Sequence, residues 1–225
     1  MKRFSRRRVY VGVIAVLTAA ALVAIVLHPG MVTHDVDLHD GGVWVTNGKM
    51  RMVAHLNYPS QTLDGGLRTS STSFDVDQSG SQVFMSDASS DTYTQIDVAR
   101  TSLMPPNTST GSSTMELGGD RIGVADPATG RVWVADVSQA PTFSQSATPP
   151  TISDMPGAVL SMGTDGSAHV ASIRTGAIKT VTPRGSVDDI STTSLPKLAD
   201  DADLQVSAVG DKSVVLDRRS GTLVL

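Results

Sequence analysis

The residues able to do chemistry are few and unevenly chosen. The 225-residue chain holds five histidines, 21 aspartates, one glutamate (Glu116) and no cysteine. Thiolate catalysis, disulfides and cysteine metal sites are therefore excluded. His34-Asp35-Val36-Asp37-Leu38-His39-Asp40 alternates polar and apolar residues, which is the pattern of a strand. Asp35, Asp37 and His39 then share one face, and two carboxylates with an imidazole suit several cations. Spacing alone supplies neither geometry nor outer-shell support, so a solvated strand face is the expectation. His169 sits mid-strand after an Asp-Gly turn and is the one candidate general base. Nothing in the sequence pairs it with a nucleophile or a metal ligand, so a hydrogen-bonded strand histidine is expected instead. His28 and His55 carry no further signal.

Other side chains are weighed the same way. Trp44 and Trp133 could stack on sugar rings, but they lie in the most apolar runs and are expected to pack in the core. Arg218-Arg219 could meet an acidic partner; a solvated turn is expected. Asn107-Thr108-Ser109 matches a glycosylation sequon, which would mean little in a bacterium. Gly111-Ser112-Ser113-Thr114 and Gly65-Gly66-Leu67 lack the lysine that a phosphate loop uses, and no G-x-S-x-G elbow is present. The expected catalytic, cofactor and metal residues are therefore none.

The elements that position these residues are β-strands and turns. Asp serves turns and caps, whereas Glu favours helices, so 21 Asp against one Glu, with 20 Gly and 11 Pro, predicts an all-β chain. Leu117–Asp136 shows the unit most clearly. Ile122–Val124 and Val132–Val134 flank Asp126-Pro127-Ala128-Thr129-Gly130, a hairpin with turn residues at both ends. Similar turns open at Asn47, Asp87, Asp126, Asp165 and Asp217, at intervals of 40, 39, 39 and 52. A period near 40 predicts a partial β-propeller with about 40-residue blades. A β-sandwich with irregular turns is the alternative. Leu195–Asp203 reads as an acidic exposed insertion in the long interval. Thr101–Thr114 and Pro141–Pro150 are expected to supply outer strands and blade-to-blade loops. Apolar residues run to Leu225 inside a strand, so the propeller at 34–225 is expected to be incomplete at its C-terminus.

The N-terminus sets the location. Five of the first eight residues are Lys or Arg, and Val9–Leu27 follows as nineteen residues without charge or proline. At 1.5 Å per residue this makes about 28 Å of helix, close to the hydrocarbon core of a bilayer. The basic tail at 1–8 is expected in the cytoplasm, 9–27 in the membrane, 28–33 as a linker and 34–225 outside. A cleaved signal peptide is the alternative, although its apolar core is shorter. Everything after residue 8 carries 13 Lys+Arg against 22 Asp+Glu, a net charge of -9, which disfavours nucleic acid.

The stretch His34–Asn47, HDVDLHDGGVWVTN, resembles a group of large actinobacterial envelope proteins with fibronectin type III or Ig-like domains. Ser73–Val76, Ala125–Pro127, Arg131–Val134 and Gly163–Gly166 are similar too. The resemblance implies a basic tail, one transmembrane helix and a propeller-like region that continues into fibronectin-like repeats. It implies location and architecture, with no catalytic motif. The expected function is a membrane-anchored, non-enzymatic interaction or scaffold module with a protein or cell-wall polymer as partner. A secreted lyase- or hydrolase-like propeller enzyme, or a carbohydrate binder acting on cell-wall polymer, is the alternative.

Overall fold

The computed structural model describes residues 42–109, 112–184, 187–210 and 212–225. The basic tail, the Val9–Leu27 segment, the linker and the His34–Asp40 pattern lie outside the described residues. Among the described residues no helix is long and apolar enough to cross a membrane.

Among the described residues, five antiparallel sheets follow one another in chain order. The first holds β1 (Val43–Asn47), β2 (Met52–Asn57) and β3 (Thr62–Arg68). The second holds β4 (Phe74–Ser79), β5 (Gln82–Asp87) and β6 (Thr92–Asp97), with β7 (Ser102–Leu103) and β8 (Asn107–Thr108) both against β6. The third holds β9 (Thr114–Gly118), β10 (Arg121–Asp126) and β11 (Arg131–Asp136). The fourth holds β12 (Val159–Met162), β13 (Ala168–Ser172), β14 (Ala177–Arg184) and β15 (Val187–Ser194). The fifth holds β16 (Leu204–Val209), β17 (Lys212–Asp217) and β18 (Thr222–Val224). The first strands β1, β4, β9, β12 and β16 contact one another in chain order, so the sheets pack face to face in succession.

Strand alternation builds four cores between neighbouring sheets. Trp44, Val53, Val83, Met85 and Ile96 fill the space between the first and second. Phe84 and Tyr93 meet Ile122, Val124 and Trp133 between the second and third. Ala125 and Val132 meet Leu160, Val170 and Val181 between the third and fourth. Ala171 and Ile178 meet Leu204, Val206 and Val215 between the fourth and fifth. Middle strands such as β10 and β13 are buried along their whole length because both their faces are covered. Each fully buried Val, Leu, Ile or Phe contributes about 1.5–3 kcal/mol. The third and fourth sheets approach closely at Gly118, where a Cβ would run into the carbonyl of Gly163.

One turn geometry recurs. Asn47, Asn57, Asp87, Asp97, Asp126, Ser172 and Asp217 each precede by four residues a position with positive φ: Arg51, Gln61, Asp91, Thr101, Gly130, Gly176 and Gly221. The anchoring side chains accept from backbone N–H groups inside the turn. Asp126 takes Ala128 N at 3.0 Å and Thr129 Oγ1 at 2.7 Å, and Asp217 takes Arg219 N at 3.0 Å. Thr101 is β-branched and sits at φ 50°, a conformation such residues resist. Thr101→Gly is expected to raise stability by about 1 kcal/mol in urea denaturation. A loss of stability would show that the hydroxyl or methyl group of Thr101 outweighs its backbone strain.

The repeat differs from the sequence expectation in its alignment. Asp87, Asp126 and Asp217 end the second strand of their sheets, but Asn47 ends a first strand and Asp165 lies between β12 and β13. The structural counterparts are Asn57 and Ser172, which gives intervals of 30, 39, 46 and 45. Asp, Asn and Ser serve any turn that needs a side-chain acceptor, so residue type alone matched turns from different places. Leu195–Asp203 is the connection between the fourth and fifth sheets. Leu195 is buried, with Leu198 and Ala202 packed beside it, while Pro196, Lys197, Ala199, Asp200 and Asp201 are exposed, so the segment is an exposed acidic connection pinned by three apolar side chains. Thr101–Thr114 supplies the short β7 and β8. Pro141–Pro150 forms no strand; a 3-10 turn at Val137–Thr142 leads into it, and the outer edge of β11 is met by a single bridge, Val132 to Ile152.

Candidate functional site

His169, the candidate base, is fully buried on β13. Ser167 donates to Asp165 Oδ1 at 2.6 Å, which leaves the Ser167 oxygen to accept from His169 Nε2 at 2.9 Å. Nδ1 then accepts from the Ser213 hydroxyl on β17 at 2.6 Å, and Thr180 Oγ1 lies 3.3 Å from that same oxygen. These roles are those of the neutral ring, assigned from the hydroxyl partners. A nucleophilic triad places the base between hydroxyl and acid. Here a buried hydroxyl stands between acid and base, so the relay is a polar joint between the fourth and fifth sheets. Hydrogen bonds from Ser167 hold Asp165 below the usual carboxylate range.

Glu116, the only glutamate, lies on β9 with Oε2 accepting from Met162 N of β12 at 3.1 Å. It thereby satisfies an edge N–H of the next sheet. Gln78 does the same on the other side, accepting from Trp44 N and donating to Gly42 O, both at 3.0 Å. Burial, joined by the negative charge of Asp77, pushes the Glu116 carboxyl up to about 7. Burial and the neighbouring Asp75 push Asp77 up to about 6. Strongly shifted acids mark candidate sites, although structural networks shift acids too. Among the described residues no group of three or more His, Asp or Glu could hold a metal ion.

The best-formed concavity is a cleft of about 350 Å³ between the second and third sheets, at the end where β5 turns into β6. Of its fourteen lining residues eight carry hydroxyls, three are Asp75, Asp87 and Asp91, and none is basic. Phe74, Ala88 and Met115 supply apolar surface. Asp87 accepts from Ser89 N at 2.9 Å and Ser89 Oγ at 2.7 Å, and its carboxyl is held below the usual range despite the opposing desolvation. Tyr93 forms part of the inner wall. Its hydroxyl is sealed from solvent without a hydrogen-bond partner, and burial pushes its pKa up to about 12. A buried donor left unpaired is uncommon and calls for a cause. A shallower groove of about 560 Å³ runs past Gln82, Gln95 and Asp136, where Gln95 Nε2 already donates to Gln82 Oε1 at 3.1 Å.

The remaining sequence candidates are structural. Trp44 and Trp133 are buried, and Trp133 Nε1 donates to Thr148 O at 2.8 Å. Arg218 and Arg219 pair with Asp203 at 2.7 Å and Asp201 at 3.1 Å, acids of the preceding connection. Asn107 Nδ2 donates to Ala140 O at 2.9 Å, so the sequon side chain is engaged inside the fold. The cleft was missed because its walls come from Ser- and Thr-rich turns of separate sheets. Aromatic Tyr93 among turn hydroxyls was the available signal.

No protein-family model and no curated protein matches the sequence. Solved structures do. The dihydro-heme d1 dehydrogenase NirN matches with a TM-score of 0.58 and 12% identity, over 83% of this chain and 43% of that one. Hsv2 from Kluyveromyces lactis matches with a TM-score of 0.59 and 10% identity, over 78% of this chain and 54% of that one. The chain therefore spans about half the length of these solved chains. At such identity the likeness is one of fold, and it makes this an all-β chain of β-propeller type built from successive small antiparallel sheets.

Proposed function

We propose that the chain is a non-enzymatic binding module of β-propeller type, anchored to a membrane by Val9–Leu27 with its sheets outside. Its cleft between the second and third sheets holds a hydroxyl-rich polymer of the cell envelope. The lining of that cleft is the observation that carries this reading: eight hydroxyl residues and three carboxylates, with no basic side chain. Phosphates and nucleic acids are repelled by such a wall. Sugar hydroxyls, which donate as well as accept, match it, and carboxylates accept two donors at once. At about 350 Å³ the cleft is at the small end of ligand pockets, suited to a short stretch of polymer. An enzyme reading relied on His169, which is sealed, and would now turn to Glu116, whose carboxylate is occupied by the β12 backbone.

The test is titration calorimetry of the full chain in detergent against neutral oligosaccharides of arabinose, galactose and N-acetylglucosamine. Ala88 is exposed at the cleft mouth, so Ala88→Trp is expected to block binding while leaving the melting temperature unchanged. Tyr93→Phe removes a hydroxyl sealed from the cleft, and is expected to leave binding unchanged. Equal binding by the wild type and Ala88→Trp would reject the cleft.

A further inference from the structure

The turn between β1 and β2 sets an asparagine before a glycine. Asn47 ends β1 opposite Met52, and Gly48, Lys49, Met50 and Arg51 close the hairpin. Asn47 is exposed, and its Oδ1 accepts from Met50 N at 3.1 Å. That N–H sits on the oxygen where negative charge gathers when a nucleophile adds to the side-chain carbonyl. The nucleophile next to it is the backbone nitrogen of Gly48, which no Cβ hinders. Packing keeps glycine at this position, because a Cβ would lie 2.9 Å from the carbonyl oxygen of Thr72.

We propose that Asn47 is a site of spontaneous deamidation in the folded protein. Gly48 N adds to Asn47 Cγ and gives up its proton, and the side-chain nitrogen leaves as ammonia. The cyclic imide so formed takes up one water at either carbonyl, which returns an aspartyl or an isoaspartyl link to Gly48. The chain has two other asparagines. Asn57 opens a turn of the same kind, with Ser60 N at 3.2 Å from its Oδ1, but Tyr58 follows it and its Nδ2 donates to Asp64 at 3.1 Å. Asn107 is followed by Thr108 and donates to Ala140 O at 2.9 Å. The two products differ in consequence. Asp97 accepts from Arg100 N at 3.1 Å in the matching turn of the second sheet, so an aspartyl side chain serves here as well. An isoaspartyl link lengthens the backbone by a methylene. It disturbs the pairing of Asn47 with Met52 and the contact of Gly48 with Thr72. This chemistry is independent of what the cleft binds.

The experiment incubates the full chain in detergent at mildly alkaline pH and follows it by peptide mapping, with an ammonia assay and enzymatic methylation of isoaspartyl groups. Asn47 is expected to lose its amide at least about tenfold faster than Asn57 or Asn107, because its attacking nitrogen is unhindered. Isoaspartyl and aspartyl forms are both expected at that position. Asn47→Ser keeps an acceptor for the turn, as Ser172 does for Thr175 N at 3.4 Å, and is expected to release ammonia at most about a tenth as fast. Asn47→Asp replaces it if circular dichroism shows that the serine variant has not folded. Conversion confined to chain unfolded in urea, an Asn47 that reacts no faster than Asn57, or an aspartyl product without isoaspartyl would each overturn the proposal.

Discussion

His169→Ala is expected to lower the unfolding free energy by about 3 kcal/mol, the cost of a buried void plus stranded hydrogen-bond partners. The imidazole is fully buried and joins Ser167 of its own sheet to Ser213 of the next. Its removal leaves the Ser213 hydroxyl without its histidine acceptor and opens space where the fourth and fifth sheets meet. Ser213→Ala is expected to cost about 1 kcal/mol, since one hydrogen bond goes and little volume changes. If the two residues act as one joint, the double variant falls short of the sum of the singles by at least about 0.5 kcal/mol. Urea denaturation of the four proteins measures this. Additive effects, or a loss below about 1 kcal/mol for His169→Ala, would remove the relay from the account.

Glu116→Gln is expected to make the protein more stable in neutral and basic solution. The folded carboxyl ionises near 7, above the ordinary 4.5, because it is half-buried and faces the charge of Asp77. Between those values the folded state binds more protons than the unfolded state, so stability falls as pH rises from 4.5 to 7. The penalty is full above pH 7 and absent below 4.5. Asp77, raised to about 6 from 3.8, adds a fall of the same sign. Gln keeps an oxygen for the Met162 N–H and cannot ionise. A gain on the order of 2 kcal/mol is expected at pH 8, vanishing near pH 4. Denaturation across that range tests it, and parallel curves for the two proteins would contradict the buried charge. The sign is opposite to that of a carboxylate held in a salt bridge, which stabilises as pH rises.

Much of this fold was written locally. In Leu117–Asp136 the turn residues Asp126 and Gly130, with β-favouring residues on each side, define a hairpin that the structure places at β10 and β11. Local signals of that kind do not tell which hairpin of a sheet is which. Asn47 and Asp165 match Asp126 in type, yet they stand in different turns because any of them can supply an acceptor to nearby N–H groups. Ser172 escaped notice for the same reason, since its hydroxyl does what Asp does elsewhere.

The candidate site was less legible. Its walls come from residues as far apart as Thr72 and Met115, each segment alone reading as a polar turn. His169 was recognised as a strand residue, but its partner Ser213 lies 44 positions away. The shifted acids were equally hidden. Glu116 stood out only as the one glutamate in a chain of aspartates, and its position beside Asp77 depends on two sheets meeting.

A polymer bound in the cleft between the second and third sheets would shield the backbone of its walls. Hydrogen exchange of the full chain, with and without neutral oligosaccharide at millimolar concentration, tests it most directly. Added oligosaccharide is expected to slow exchange in 86–93 and 112–115, and to leave Ala88→Trp unchanged. Exchange that is identical with and without oligosaccharide, or protection that appears equally in Ala88→Trp, would contradict it.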